Sequence, residues 1–411
     1  MSNCTLVTGA ILGDEGKGRV IDELSQEADV VVRWGGGPNA GHTVVVNGKT
    51  YKVSALPCGF LHPEKRLVIS QGALINPTVL LDEAAKFNVF DRLFVSDKAH
   101  LILPYHIFWD EQLDKINKIG TTKRGIGPTV RDKVLRTGLR LGDFRHNNKK
   151  AQERLDLMFE QYAEFCKVHN LPVALPAEFG ATKANILLNV QTIFERFNVV
   201  DTATLLNDEL DNNRNLLLEG AQGALLDIDH GTYPYVTSTN CVTGAASVGT
   251  GIPMKRFTKT IGVFKAYTTR VGEGPFPTEL TGEIAEQLRA KGNEYGAVTK
   301  RPRRVGWLDL PALNYSCMIN GFDELVMTKF DVLEGMEIKY ATKYKLENCS
   351  TNCADAFAME YASRNSADIS YNTIKTNSVL EYVEEIGQYI RAPIKMVSTS
   401  PERGKGFERI D

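Results

Sequence analysis

Apolar residues along this chain come in short, nearly unbroken runs separated by glycine-rich or charged breaks. Thr5 to Ala10, Asp29 to Trp34 and Arg66 to Ser70 read as strands, and Arg19 to Gln26 between the first two reads as a helix. Strand, helix, strand implies a parallel sheet with right-handed crossovers. From about Tyr105 to Asn207 the pattern turns mostly helical; Leu155, Met158, Phe159 and Tyr162 fall at i, i+3, i+4 and i+7, which predicts an amphipathic helix over Ala151 to Cys166 with that stripe facing the core. Strand-like runs return at Asn215 to Leu218, Thr260 to Ala266 and Glu324 to Phe330, each ending in a loop rich in glycine or charge. Ligands of open α/β sheets gather at the carboxyl ends of strands, so those loops are where chemistry is expected. No repeat or low-complexity linker interrupts the pattern. The expectation is one α/β domain over residues 1–411, with a mostly parallel central sheet, flanking helices and a helical insertion at roughly 105–207.

Composition adds limits. The 411 residues are 43% hydrophobic and 24% charged, enough to bury a large core without disulfides or structural metal. A formal net charge of −2 provides no overall field to attract nucleic acid or anionic lipid, so an anionic ligand must meet a local positive cluster. The seven cysteines lack paired spacing, and Cys349 and Cys353 are not separated as in a zinc knuckle or redox motif. They are expected to be reduced, structurally inert thiols in a cytoplasmic protein. The first residues run straight into an apolar strand without a basic leader, and no apolar stretch is long enough to span a membrane.

The chemistry sits in the strand-end loops. After the first strand comes Gly13-Asp14-Glu15-Gly16-Lys17-Gly18-Arg19, where glycines turn backbone N–H groups inward and the following helix adds partial positive charge, a setting suited to a polyphosphate. It differs from the usual P-loop because Gly18, not Ser or Thr, follows Lys17; Asp14 is the nearby hard oxygen donor for Mg²⁺. Next is Trp34 to Thr43, with three consecutive glycines, Asn39, Gly41 and His42, the last a proton donor near neutral pH. Thr328-Lys329-Phe330-Asp331 closes a later strand. Its carboxylate can take the N1–H and 2-amino edge of guanine, with Lys329 along the base, as in GTPases. Between these lie Gly120 to Pro128, Glu219 to Gly223, Tyr233 to Ser238 and the basic run Thr299 to Arg304, whose guanidinium forks suit carboxylates.

With these motifs in view, the chain resembles the adenylosuccinate synthetase family. The resemblance rests on Gly13 to Gly18, Asn39 to Thr43, Gly120 to Pro128, Glu219 to Gly223, Leu226 to Ser238, Thr269 to Glu279 and Thr328 to Asp331; it covers roughly Thr5 to Tyr344 plus Ser398 to Arg403. It implies a ligase that uses GTP and Mg²⁺ to join L-aspartate to IMP. By that likeness Asp14, His42 and Lys17 are catalytic, with Asp14 and the Gly41 carbonyl on the metal. GTP is expected at Gly13, Glu15, Gly16, Lys17, Gly18, Gly41, His42, Thr43, Lys329, Asp331, Ser398, Ser400 and Pro401. IMP is expected at Asp14, Asn39, Thr122, Gln222, Thr237, Arg301 and Arg136, the last donated across a homodimer interface. Thr299, Arg301 and Arg303 are expected to bind aspartate.

The chain departs from the family pattern at Ile11, Leu12, Gly35, Pro38, Lys123, Val298 and Pro302. Most lie near the nucleotide and aspartate loops, which keeps a second reading open, the same ligation on GMP or dGMP as in some viral relatives; the retained Asp14 resembles the IMP pattern. A third, a GTP-controlled switch, would call for a hydroxyl after Lys17 and would have no use for His42 or Arg301. The stretch from about Leu346 to Lys395 matches the family poorly and supports no functional reading.

Overall fold

The computed structural model describes residues 2–146, 148–171, 183–295, 302–347, 349–364 and 368–410. Its centre is a ten-stranded sheet built from β1 (Cys4–Gly9), β2 (Val30–Arg33), β3 (Arg66–Ile69), β4 (Leu93–Ser96), β5 (Asn198–Val200), β6 (Leu216–Glu219), β7 (Lys259–Lys265), β8 (Glu324–Thr328), β9 (Ile394–Ser398) and β10 (Phe407–Arg409). The spatial order is β10-β9-β8-β7-β1-β6-β2-β3-β4-β5. Every neighbouring pair is parallel except β9 with β10.

Parallel strands covered on both faces need apolar residues at successive positions, and β2 supplies Val30, Val31 and Val32. Val31 belongs to one apolar cluster while Val30 and Val32 belong to another, one on each side of the sheet. A third cluster gathers the C-terminal third around Phe264, Leu313 and Tyr340.

The expected strands are present with boundaries shifted by a few residues, and helix α1 (Lys17–Leu24) begins two residues before its predicted start. Between residues 105 and 207 helices dominate, among them α2 (Pro104–Asn117), α3 (Ile126–Leu135) and α4 (Asn148–Val168). In α4 Leu155, Met158 and Tyr162 are buried and Phe159 packs against the same cluster, as the spacing predicts. The region is not purely helical, however. β5 lies within it and forms the sheet edge by pairing with β4; neither short strand carries a pattern long enough to read. Among the described residues no helix is long and apolar enough to cross a membrane.

Chain order gives the site its place. β1 sits between β6 and β7 although the chain passes from β1 through α1 to β2, so the direction of winding reverses beside β1. A crevice opens at such a switch point. The carboxyl ends of β1, β2, β6, β7, β8 and β9 all face it.

Candidate active site

A cleft of about 370 Å³ lies at these strand ends. Its walls include Gly13 to Gly18, Asn39 to Thr43, Gly120 to Thr122, Gln222, Thr237, Arg303 and Lys329.

The loop after β1 is organised by its own glutamate. Glu15 Oε1 accepts from the Ile11 and Gly13 N–H groups at 2.7 and 3.0 Å, and Oε2 accepts from Lys17 Nζ at 2.9 Å. Both side chains are buried, so the carboxylate fixes the lysine at the cleft floor. Of the residues expected at GTP, Glu15 thus spends its side chain on the loop. Gly9 is required here, because a Cβ on it would stand 2.1 Å from Glu15 Oε2. Gly18 is explained too. A Cβ there would lie 3.1 Å from the Thr43 carbonyl oxygen and 3.3 Å from the His42 Cβ, so the space a P-loop hydroxyl would use is filled by the strand His42–Val46.

His42 begins that strand and is buried. Its Nδ1 meets Glu219 Oε1 at 2.6 Å and Cys58 Sγ at 2.9 Å, and the Cys58 N–H donates to Glu219 Oε2 at 2.7 Å. Burial opposes the charge on Glu219, yet His42 and Arg33 hold its carboxyl below the usual range. The same burial, with Glu219 beside it, pushes the Cys58 thiol well up. His42, Cys58 and Glu219 form a possible metal-ligand set by residue type. Their contacts, including 3.3 Å from Cys58 Sγ to Glu219 Oε1, are mostly shorter than the roughly 3.2–3.7 Å between ligands around tetrahedral zinc, so this is a hydrogen-bonded triad. Cys58, expected to be an inert thiol, is buried with its thiol pushed up, and it packs against His42, a contact across sixteen residues that spacing does not reveal.

Asp14 sits in the turn with φ of 55° and pairs with Arg303 Nη2 at 3.0 Å. Arg303 Nη1 reaches the buried Glu294 at 2.7 Å, and Glu294 also meets Lys265 and Lys329. Thus the residue expected to bind aspartate touches the expected base. Thr299, Arg301 and Val298 lie outside the described residues.

The nucleotide residues gather from several loops. Gln222 has a buried Nε2 without a partner among the described residues and lines the cleft, as suits an amide that binds a ligand. Asn39 Oδ1 accepts from the Gly37 N–H at 3.2 Å. The Thr122 loop is tethered by two carboxylates from α2: Asp114 accepts from the Gly120 and Thr121 N–H groups, and Asp110 from that of Gly125. Burial, chiefly, raises the Asp110 carboxyl. Arg136 ends α3 with an exposed side chain and is not among the cleft residues. Lys329 donates to the Gly292 carbonyl and to Glu294, and its N–H donates to the Ser398 carbonyl; Ser398, Ser400, Pro401 and Asp331 are not among the cleft-lining residues. Asp331 follows in the turn Phe330–Leu333, its carboxyl raised chiefly by burial.

Of the departures, Leu12 lines the cleft and Lys123 does not; Lys123 faces a smaller neighbouring groove with φ of 55°. Sequence reasoning missed the roles of Cys58, Lys265 and Glu294. Glu219 stood in a noted motif, but its partnership with His42 joins residues 177 positions apart and left no local signal.

A glycine-rich loop holding a buried lysine, a carboxylate in its turn, an oriented histidine opposite and a Lys-x-Asp turn at a nearby strand define an α/β enzyme built for nucleotide-driven phosphoryl transfer. A model of the family "Adenylosuccinate synthetase" matches residues 6–407, which takes in the stretch from Leu346 to Lys395 where motif comparison found little likeness. The chain belongs to that family. Adenylosuccinate synthetase from Thermus thermophilus is 42% identical over 414 residues, with 98% of each chain covered. That from Desulforudis audaxviator is 48% identical over 347 residues, covering 82% of this chain and 79% of its own. A fully ligated adenylosuccinate synthetase structure from Plasmodium falciparum superposes with a TM-score of 0.85 at 35% identity and full coverage of both chains. A cyanophage S-2L succinoaminodeoxyadenylate synthetase solved with dGMP and dATP gives a TM-score of 0.65 at 22% identity, covering 100% of this chain and 95% of its own; this likeness carries the fold alone. This chain is accordingly a GTP-dependent ligase of purine biosynthesis.

Proposed function

We propose that the chain catalyses GTP + IMP + L-aspartate → GDP + phosphate + adenylosuccinate, as a cytoplasmic homodimer with Mg²⁺. The observation that carries this reading is the meeting, in one cleft, of the Gly13–Gly18 loop, the Asp14–Arg303 pair and Lys329. The lactam oxygen of hypoxanthine leaves poorly. Asp14 takes the N1 proton of IMP, charge moves to O6, and O6 attacks the γ-phosphorus of GTP as GDP departs. Lys17 and the loop amides face the phosphates, and His42, oriented through Nδ1 by Glu219, turns its other nitrogen to the transferring group. The aspartate amine then attacks C6, phosphate leaves, and the amine proton is lost, with Arg303 holding a substrate carboxylate. Thr299 and Arg301 complete that subsite in this reading, and Arg301 also reaches IMP.

Asp14 and the Gly41 carbonyl, both at the cleft, are hard oxygen donors that fit Mg²⁺, phosphate oxygens and water completing the shell. The ion would offset phosphate charge. Dimerisation is supported by exposed Val134 and Leu135 beside the exposed Arg136, an apolar pair suited to meeting a second copy. Seven free thiols suit a reducing compartment.

The test is product mass and phosphate release with GTP, Mg²⁺, L-aspartate and either IMP or dGMP. Adenylosuccinate from IMP is expected; turnover of dGMP alone would replace this reading with the guanine-nucleotide one.

A further inference from the structure

The carboxylate of Glu294 has no solvent exposure, yet four donors converge on it. Oε2 accepts from Arg303 Nη1 at 2.7 Å; Oε1 accepts from Tyr267 OH at 2.6 Å, Lys329 Nζ at 2.8 Å and Lys265 Nζ at 3.1 Å. With Asp14 on the other guanidinium nitrogen, three cations face two carboxylates, Asp14 and Glu294. Burial chiefly pushes the Lys265 pKa down to about 8; Glu294 and Asp14 pull it up, and Lys329 and Arg303 add to the lowering. Such a cluster is short of one anion.

The two carboxylates on Arg303 are not equivalent. The Asp14 side chain is 32% exposed and opens on the cleft, whereas Glu294 is sealed. An entering carboxylate therefore displaces Asp14, because uncoupling Glu294 would strand a buried charge. Through its other oxygen Glu294 also grips Lys329, a second lining residue of the same cleft.

On the reading above, in which Arg303 takes aspartate and Lys329 lies at the guanine base, we propose that Glu294 is a positioning residue that couples the two subsites, so that filling one changes the affinity of the other. The substrate carboxylate replaces Asp14 on Arg303, and the cations around Glu294 redistribute between its two oxygens. A shift of Lys329 toward or away from Glu294 then alters how firmly Arg303 is held.

The experiment measures the Kd of GDP in the full-length protein with saturating IMP, with and without saturating L-aspartate. In the wild type the two values should differ by at least about fivefold, within the usual range for coupled sites. In Glu294→Gln, which keeps the shape and removes the charge, the ratio should fall to within about twofold of one, and Glu294→Asp should restore part of it. A lesion that only loosens the fold would weaken both affinities and leave the ratio standing. If Glu294→Gln does not fold, Tyr267→Phe, which deletes a single donor, should still lower the ratio at least about twofold. A ratio of one in the wild type, or one that survives in the folded variants, overturns the proposal. Failure of the wild type to bind GDP or aspartate at all would instead overturn the ligase reading on which it rests.

Discussion

Two buried glutamates stand on either side of the cleft and do different work. Glu219 faces one histidine, one thiol and one backbone N–H, held by the two-stranded hairpin that begins at His42 and the short turn Cys58–Leu61. Glu294 faces two lysines, an arginine and a tyrosine drawn from β7, β8 and the loops beyond them. Burial works against the charge of both; His42 and Arg33 overcome it at Glu219, and Lys265, Lys329 and Arg303 overcome it far more strongly at Glu294. The difference teaches that burial alone does not define a carboxylate's role. Glu219 with its few partners orients a ring, whereas Glu294 with an excess of cations shares charge among groups from separate loops, which the proposal above assigns to two subsites.

The comparison breaks most completely where the halves meet. Asp14→Asn should lower turnover by about 10³-fold or more, since it removes the proposed base, which pairs with Arg303 and lines the same cleft as His42. Steady-state assays that retained more than a tenth of wild-type turnover would contradict the assignment.

Glu219→Gln should lower kcat by about 10²-fold while leaving the KM for aspartate nearly unchanged, because it frees the His42 ring without touching Arg303. A rise in that KM at constant kcat would show that Glu219 belongs to the binding machinery after all.

The Glu294 side alone should titrate at mildly alkaline pH. Lys265 has a folded pKa of about 8 against 10.5 for an ordinary lysine. Between these values the unfolded chain carries more protons, so the contribution of Lys265 to stability is least below pH 8 and grows as pH rises. Urea unfolding at pH 7.5 and 9.5 should show the wild type gaining about 2 kcal/mol relative to Lys265→Met. No relative gain would place the proton elsewhere.

The smallest effect is expected away from both carboxylates. Lys123 holds φ of 55°, so Lys123→Gly should raise stability by up to about 1 kcal/mol with kcat unchanged, as read by thermal unfolding and turnover. A fall in Tm would mean the lysine side chain stabilises the loop in some other way.

Much of the architecture was legible because Val30 to Val32 and Leu216 to Leu218 are continuous apolar runs that only a doubly covered parallel strand explains. The loops carrying Asp14, His42 and Lys329 were legible for the same reason, since each follows such a run. β5 was not, being three residues long inside a helical stretch. Nor were the buried clusters. Glu294 meets Arg303 nine residues away but Lys265 and Lys329 at 29 and 35, so in sequence its charge looks like an ordinary solvated one. The place of Cys58 was hidden on similar grounds, because an isolated thiol in a chain gives no sign of the imidazole folded against it.

The tight fit of Gly18 beneath the strand that begins at His42 carries a lesson for redesign. A serine at this position would set its Cβ 3.1 Å from the Thr43 carbonyl oxygen and 3.3 Å from the His42 Cβ, so the strand would have to yield by a few tenths of an ångström. The added hydroxyl could help hold a cation, but the imidazole would be tilted from its bearing. The loop proposed to cradle phosphate and the histidine across from it share one packing contact, so a change in either is felt by the other.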